Sequence, residues 1–297
     1  MSVTHSFHSA AFELRRISWT QLAGYAYLGF FILLLVRLAA PEAIGPALRK
    51  LAFALPLVLL AAKDLAHLPD ALQRLRGATG WRGRILALLP PELIGMARLD
   101  RLMWTGFLQW LRRRKPLARP EGTALTYLQR GAYGTAIGCA MVAVFLELPI
   151  DFGILHLFVA DPDTRMLIHV VGGIGAVYTL AWVLGDRWHV AEGSHVLADE
   201  VLHLRVGVRT QGSIPLSSIE RVDAVLEAPE RWRRRHGIHP ADTITVTPFD
   251  KPNCVLVMKP DAGVTLLHWQ VRRTAPRYVL LYVDHPELLA SSVKQHG

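Results

Sequence analysis

The chain has 297 residues, of which 52% are hydrophobic and only 19% charged, and its mean hydropathy is +0.27. That balance argues against an ordinary soluble protein and suits a small polytopic membrane protein, with room for roughly two domains. The formal charge of +9 is not spread evenly: basic residues dominate between Lys63 and Arg130, and beyond Arg187 the two signs nearly cancel. A basic segment between apolar runs suits anionic headgroups on the cytoplasmic side, so the expected partner is the lipid bilayer and not nucleic acid.

The apolar residues concentrate before about residue 185. Arg15 and Arg16 precede the first run, Ile17 to Val36. Arg37 interrupts the small-residue region that a signal-peptide cleavage site needs, so the run reads as an uncleaved first span. Leu51 to Ala62 is shorter than the roughly 20 residues a span requires and contains Pro56. It crosses only if Arg49, Lys50 and Lys63 snorkel at its ends; a re-entrant or interfacial segment is the alternative.

Inside the basic loop 63–130, the stretch Pro91 to Arg114 has apolar residues at helical spacing, a proline suited to a first helical position, and Trp104, Phe107 and Trp110 beside several arginines. Two readings stand: a helix lying in the membrane interface, or one packed against the spans. A third span lies within Gly131 to Ala160 and a fourth within Met166 to Gly185, joined by the tight polar turn ADPDTR. Gly134 and Gly138 form a GxxxG, and Gly172, Gly173 and Gly175 give the fourth span a small face, so close helix approach and a homo-oligomer are both open. The positive-inside rule puts the basic loop in the cytoplasm, which makes both termini cytoplasmic in a multi-pass protein of the inner (plasma) membrane.

After His189 the period changes from helical to twofold. Leu202, Leu204, Val206 and Val208 alternate with polar residues or glycine; Thr243 to Thr247, Cys254 to Met258, Val264 to Trp269 and Tyr278 to Val283 read as further strands; His285 to His296 reads as a final helix. The expected organisation is a helical transmembrane domain over residues 1–188, with about four transmembrane helices and an interfacial helix, followed by a cytoplasmic β domain over 189–297. Cys139 and Cys254 have neither CxxC nor metal-ligand spacing and read as buried thiols.

The segment LHLRVGVRTQGSIPLSSIERVDAV resembles the core of bacterial pleckstrin-homology-like domains through Ile214, Pro215, Leu216, Ile219 and Val222. The ending RYVLLYVDHPELLASSV is similar to the last strand and closing helix of the same domains. The whole chain looks like bacterial membrane proteins that join a few spans to such a module. The resemblance implies a bent seven-stranded barrel capped by a C-terminal helix, and it implies no ligand. The insertion EAPERWRRRHGIHPAD departs from the compact pattern, and its run Arg231 to Arg235 reads as a solvated or lipid-facing basic patch.

Glu147, Asp151, His156 and His169 are polar residues within the third and fourth spans. An ionisable group at mid-membrane costs about 2.5–3.5 kcal/mol, so it needs a partner, a cavity or a task. His156 and His169 are equally far from the turn and so at matching depth; Glu147 and Asp151, four apart, share a helix face. Two imidazoles and one or two carboxylates are the donor set of a divalent metal such as zinc, or of a proton relay. The competing structural reading pairs Asp151 with Arg37 or Lys50. His189 and His195 read as linker residues. No nucleotide loop, no HExxH and no signature of a nucleophilic triad is present. The sequence therefore points to a non-catalytic membrane protein whose cytoplasmic module docks proteins or assists assembly, with an outward-facing metal or proton site in a membrane enzyme or transporter as the rival.

Overall fold

The computed structural model describes residues 17, 19–39, 44–116, 120–158 and 161–296, and the chain divides into two compact units between Ile94 and Gly95. Arg15, Arg16 and Gly297 lie outside the described residues, as does the side chain of Arg37.

In the first unit, α1 (Trp19–Ala39) and α2 (Gly45–Ala66) form an antiparallel pair. Gly29 makes the approach possible: a Cβ there would lie 2.9 Å from Leu55 Cδ2. Beside it the rings of Phe30 and Phe53 meet edge to face at 5.4 Å. The short segment of the sequence reading is the centre of a 22-residue helix that starts on Gly45-Pro46 and carries Pro56 inside it. At 1.5 Å per residue α2 is about 33 Å long, enough for the hydrocarbon layer. Lys63 does not snorkel outward; it is buried, and its ammonium donates to the carbonyl of Ile17. His67 alone separates α2 from α3 (Leu68–Gly77), which is followed by α4 (Gly80–Leu88).

The second unit begins just after the first turn of α5 (Pro91–Leu111). Leu99 and Met103 of α5 are fully buried against Val208, with Trp182 packed beside them, so this part of the helix is a packed element of its unit. The chain then forms β1 (Thr123–Thr126) and the helical hairpin α6 (Tyr133–Phe158) and α7 (Pro162–Val190). Asp161 caps α7, its carboxylate accepting from the Thr164 amide at 2.8 Å, and Pro162 takes the first helical position. With 29 residues α7 is about 44 Å long and outreaches a hydrocarbon layer of about 30 Å. Its buried residues, Ala181, Gly185, Asp186, His189 and Val190, all fall on one face of its last third.

Two helices, α2 and α7, are long and apolar enough to cross a membrane, and only 6% of each apolar window is buried, unlike a soluble core helix. Helices α1 and α6 contribute shorter apolar stretches, Gly24–Leu33 and Tyr133–Leu146. Among the described residues, length and composition therefore support two spans where the sequence reading has four.

The β region corrects the expected barrel. Ten strands form two sheets and no closed barrel among the described residues. The six-stranded sheet has the order β1-β2-β3-β4-β8-β9, with β2 (Ser194–Ala198), β3 (Val201–Val206), β4 (Thr210–Pro215), β8 (Thr265–His268) and β9 (Val271–Thr274), all antiparallel. The four-stranded sheet has the order β5-β7-β10-β6, with β5 (Ile219–Ala224), β7 (Cys254–Met258), β10 (Tyr278–Leu281) and β6 (Thr243–Val246), the last running parallel to β10. The edge strand β1 comes from the basic loop, so the module includes residues far upstream of 189. The hairpins β2–β3 and β8–β9 turn on Asp199-Glu200 and Trp269-Gln270, all four at positive φ, as a two-residue type I′ connection requires.

Inner faces of both sheets share one core that includes Leu204, Ile214, Leu256 and Leu281, closed by Leu289 and Val293 of α9 (Pro286–His296). Cys254 is buried in that core, which pushes its thiol up to about 12 and keeps it protonated and unreactive. Cys139, by contrast, is exposed on α6 and is not the buried thiol expected.

His268, on β8, meets the Thr210 hydroxyl at 2.9 Å, and burial, helped by the Arg273 guanidinium, pulls its imidazole down to about 4. The folded state therefore binds this proton more weakly than the unfolded chain, whose histidine titrates near 6.5. Its contribution to stability is complete above pH 6.5, declines as pH falls, and is gone below about 4, a loss of at most about 3 kcal/mol. Thermal melts of the purified protein between pH 7 and 4 should show this decline, and His268→Asn should flatten it.

Candidate functional site

Of the sequence-predicted cluster, the described residues include the side chains of the two histidines. His156 is exposed and His169 half-buried, and their ring centroids are 6.4 Å apart across the α6–α7 hairpin, as equal distance from the turn requires. The side chains of Glu147 and Asp151 lie outside the described residues, so their convergence with the histidines and the Asp151–Arg37 pairing do too. Among the described residues no group of three or more His, Cys, Asp or Glu is disposed to hold a metal ion. The glycine faces of the hairpin are open: a Cβ at Gly134, Gly138, Gly172, Gly173 or Gly175 would meet nothing within 4 Å.

Close packing by glycine occurs instead where α5 meets the end of α7. A Cβ on Gly185 would lie 2.0 Å from the Met103 carbonyl oxygen, and one on Gly106 would lie 2.7 Å from that of Gly185. Gly95 makes equally tight contact with the β8–β9 turn, where a Cβ would lie 2.6 Å from the Trp269 carbonyl oxygen. His189 and His195 are not linker residues. The His189 Nε2–H donates to the Leu102 carbonyl at 2.8 Å, while His195 Nδ1 accepts the Arg205 amide at 3.1 Å, and both rings are buried.

Against this packed corner lies a buried ionic junction that the sequence reading missed. Asp186, near the end of α7, accepts from the Tyr133 hydroxyl at 2.9 Å and from Arg209 Nη2 at 3.0 Å, both through Oδ2. Arg209 sits at the tip of the β3–β4 hairpin, which Gly207 turns with φ +54° close beside Val190. The guanidinium also donates to the Pro248 carbonyl at 2.9 Å and lies 5.0 Å over the Phe249 ring, which stacks on Tyr133 at 5.8 Å. Arg209 and Asp186 are 5% and 3% exposed, so both are withdrawn from bulk solvent. The junction joins both hairpin helices to the sheets. The only signal in sequence was an aspartate at the end of an apolar helix.

The loop 127–132 is tied down next to it. Asp284 accepts from the amides of Gln129 and Arg130 at 3.0 and 2.9 Å, and Asp250 accepts from that of Ala132. The Tyr127 hydroxyl donates to the Arg205 carbonyl at 3.0 Å.

A second feature lies on the outer face of the four-stranded sheet. The insertion folds as α8 (Pro229–His236), ended by Gly237 in the left-handed conformation, φ +64°. Trp232, unread as a core residue, is buried against Val225, Val255 and Leu280, and meets Tyr278 edge to face at 5.6 Å. Two of the arginines are held by carboxylates, Arg235 by Glu227 at 3.0 Å and Arg233 by Glu230 at 3.4 Å, so the run is not a uniformly solvated patch. Between α8 and the sheet opens a cleft of about 730 Å³ with Trp232, Ile238, Val257 and Tyr278 among its walls. Arg221 and Asp223, paired at 2.9 Å, also line it, and Leu226 stands at its edge, 99% exposed.

No protein-family model matches the chain, and neither a curated protein nor a solved structure does.

Removing one partner of a buried ion pair strands the other, at a cost of about 3–5 kcal/mol, whereas replacing both by apolar groups is often neutral. Asp186→Ala should thus lower the melting temperature of the detergent-purified protein sharply, and Asp186→Leu with Arg209→Met should restore most of it. Equal destabilisation by the single and double variants would show that the junction is not acting as a pair.

Proposed function

We propose that the chain is a multi-pass inner-membrane protein, with both termini cytoplasmic, that presents a pleckstrin-homology-like sheet module as a non-catalytic platform for docking or assembly of a protein partner. Two helices fit to cross a bilayer support the membrane anchoring, and the basic excess between Lys63 and Arg130 supports the orientation. The observation that carries the docking role is the outer cleft. A cleft walled by the largely buried Trp232 and Val257 and the half-buried Tyr278, with charges of both signs around it and a fully exposed leucine at its edge, supports a protein-binding patch. The junction of Asp186 and Arg209 then serves to hold the platform firmly on its hairpin.

A photo-crosslinking residue in place of Leu226, in native membranes, should give a discrete adduct that Tyr278→Ala abolishes. Uniform absence of adducts, or an adduct indifferent to Tyr278, would remove the docking role.

The approach of His156 and His169 to 6.4 Å supports a second reading, an outward site for zinc or protons in a membrane enzyme or transporter. Metal analysis of the purified protein decides it: bound zinc in stoichiometric amount, lost on His156→Ala and His169→Ala, is the outcome this reading expects.

A further inference from the structure

The helices that follow α2 carry a surface that neither function above uses. Helix α4 has Trp81, Ile85 and Leu88 on a stripe of about 60° of arc. These three are 68%, 51% and 49% exposed, although such side chains in water-facing helices are ordinarily covered. Arg82 and Arg84 flank the stripe on its two sides, both exposed, and the Arg82 guanidinium lies 5.3 Å from the Trp81 ring. Away from the stripe α4 is covered in part: Ala87 is buried where α3 packs, and Arg74 Nε donates to the Ala87 carbonyl at 3.2 Å, closing α3 onto α4, while Leu86 beyond Arg82 is a further exposed apolar side chain. Helix α3 adds exposed Leu68 and Leu72, and the exposed cation Arg76.

We propose that α3 and α4 form an in-plane foot that inserts the Trp81–Ile85–Leu88 stripe among anionic phospholipids, with Arg76, Arg82 and Arg84 on the headgroup phosphates. Two observations select a bilayer as the occupant. The first is position: only His67 separates α3 from α2, so if α2 crosses the membrane α3 starts at the membrane surface and the ten residues of α3 keep α4 within about 15 Å of it. The second is charge: an apolar stripe bracketed by arginines lets the side chains snorkel while the stripe is immersed, and it complements a negative leaflet. The tryptophan adds a ring suited to the headgroup boundary. This inference rests on the membrane anchoring above and is independent of what the sheet module docks.

The test uses the full chain reconstituted into vesicles, with flotation first establishing that it is incorporated. Failure to float would refute the anchoring itself, whereas the following readouts concern only the foot. The Trp81 signal is the fluorescence difference between the chain and Trp81→Phe. In vesicles of equal parts phosphatidylcholine and phosphatidylglycerol, lipids brominated in the acyl chain should quench that difference. Quenching should fall several-fold in pure phosphatidylcholine and in a variant carrying Arg76→Gln, Arg82→Gln and Arg84→Gln. These three residues are exposed, so folding is spared; Arg74 is left in place because it holds α4. Quenching by aqueous iodide in place of brominated chains would overturn the proposal, and so would protection from both, which means a protein covers the stripe. Equal quenching in neutral and anionic vesicles would overturn the role of the arginines.

Discussion

The second unit is organised around two opposite charges removed from water. Bringing an aspartate and a guanidinium into a nearly dry site carries a desolvation cost of several kcal/mol per ion, and only good geometry with further hydrogen bonds offsets it. Asp186 and Arg209 meet this in part: the Tyr133 hydroxyl and the Pro248 carbonyl add hydrogen bonds and Phe249 faces the cation, while Asp186 Oδ1 and Arg209 Nε have no hydrogen-bond partner among the described residues. Because each group comes from a different element, the pair forms only when both hairpin helices and the β3–β4 hairpin are docked in one arrangement. A greasy contact at the same place would tolerate sliding; the ion pair does not. The junction therefore specifies the attachment more than it stabilises it.

Backbone proximity supplies the other half of the attachment. Gly106 and Gly185 let α5 and α7 touch at carbonyl distance, and Gly95 lets α5 sit on the β8–β9 turn, whose Trp269 and Gln270 are themselves in the left-handed region. Gln270 Nε2 donates to the Val208 carbonyl, which holds that turn against the β3–β4 tip. The glycines that the sequence pattern singles out, near the start of α6 and in the middle of α7, would bring a Cβ within 4 Å of nothing among the described residues. Small residues permit close approach; they do not create it, and what decides is whether another element is pressed against them.

The polar loop before α6 shows how far a module can extend beyond its apparent limits. Two carboxylates from distant loops, Asp284 and Asp250, take up three consecutive-region amides near the start of α6, donors that would otherwise have no partner at a helix entrance. Gly131 passes beneath them, where a Cβ would lie 2.6 Å from the Tyr127 carbonyl oxygen. Tyr127 and Tyr133 thereby enter the sheet core, and the preceding residues pair as β1. What began as a basic connector is an edge strand and two core aromatics.

The sequence by itself determined whatever one chain segment settles alone. Apolar length determined that α7 could cross a membrane, while for α2 only the helix on either side of its apolar run supplied the length; alternation or short apolar runs marked β3, β6, β7, β8 and β10, and the last helix was legible from residue 285 on. It also put His156 and His169 at one depth, because two helices joined by a tight turn descend together at a fixed rise per residue. Tertiary structure decided the rest. Strands β1, β2, β4, β5 and β9 carry weak alternation, since their pairing depends on neighbours distant in sequence, and the register of a sheet cannot be read from a strand alone. Trp232 read as part of a basic run, because burial is set by the sheet face it covers and not by the arginines beside it. Asp186, Arg209 and Tyr133 lie on three elements, up to 76 residues apart. No local pattern marks such a set, because the attraction that selects it exists only after folding has excluded the water between the charges.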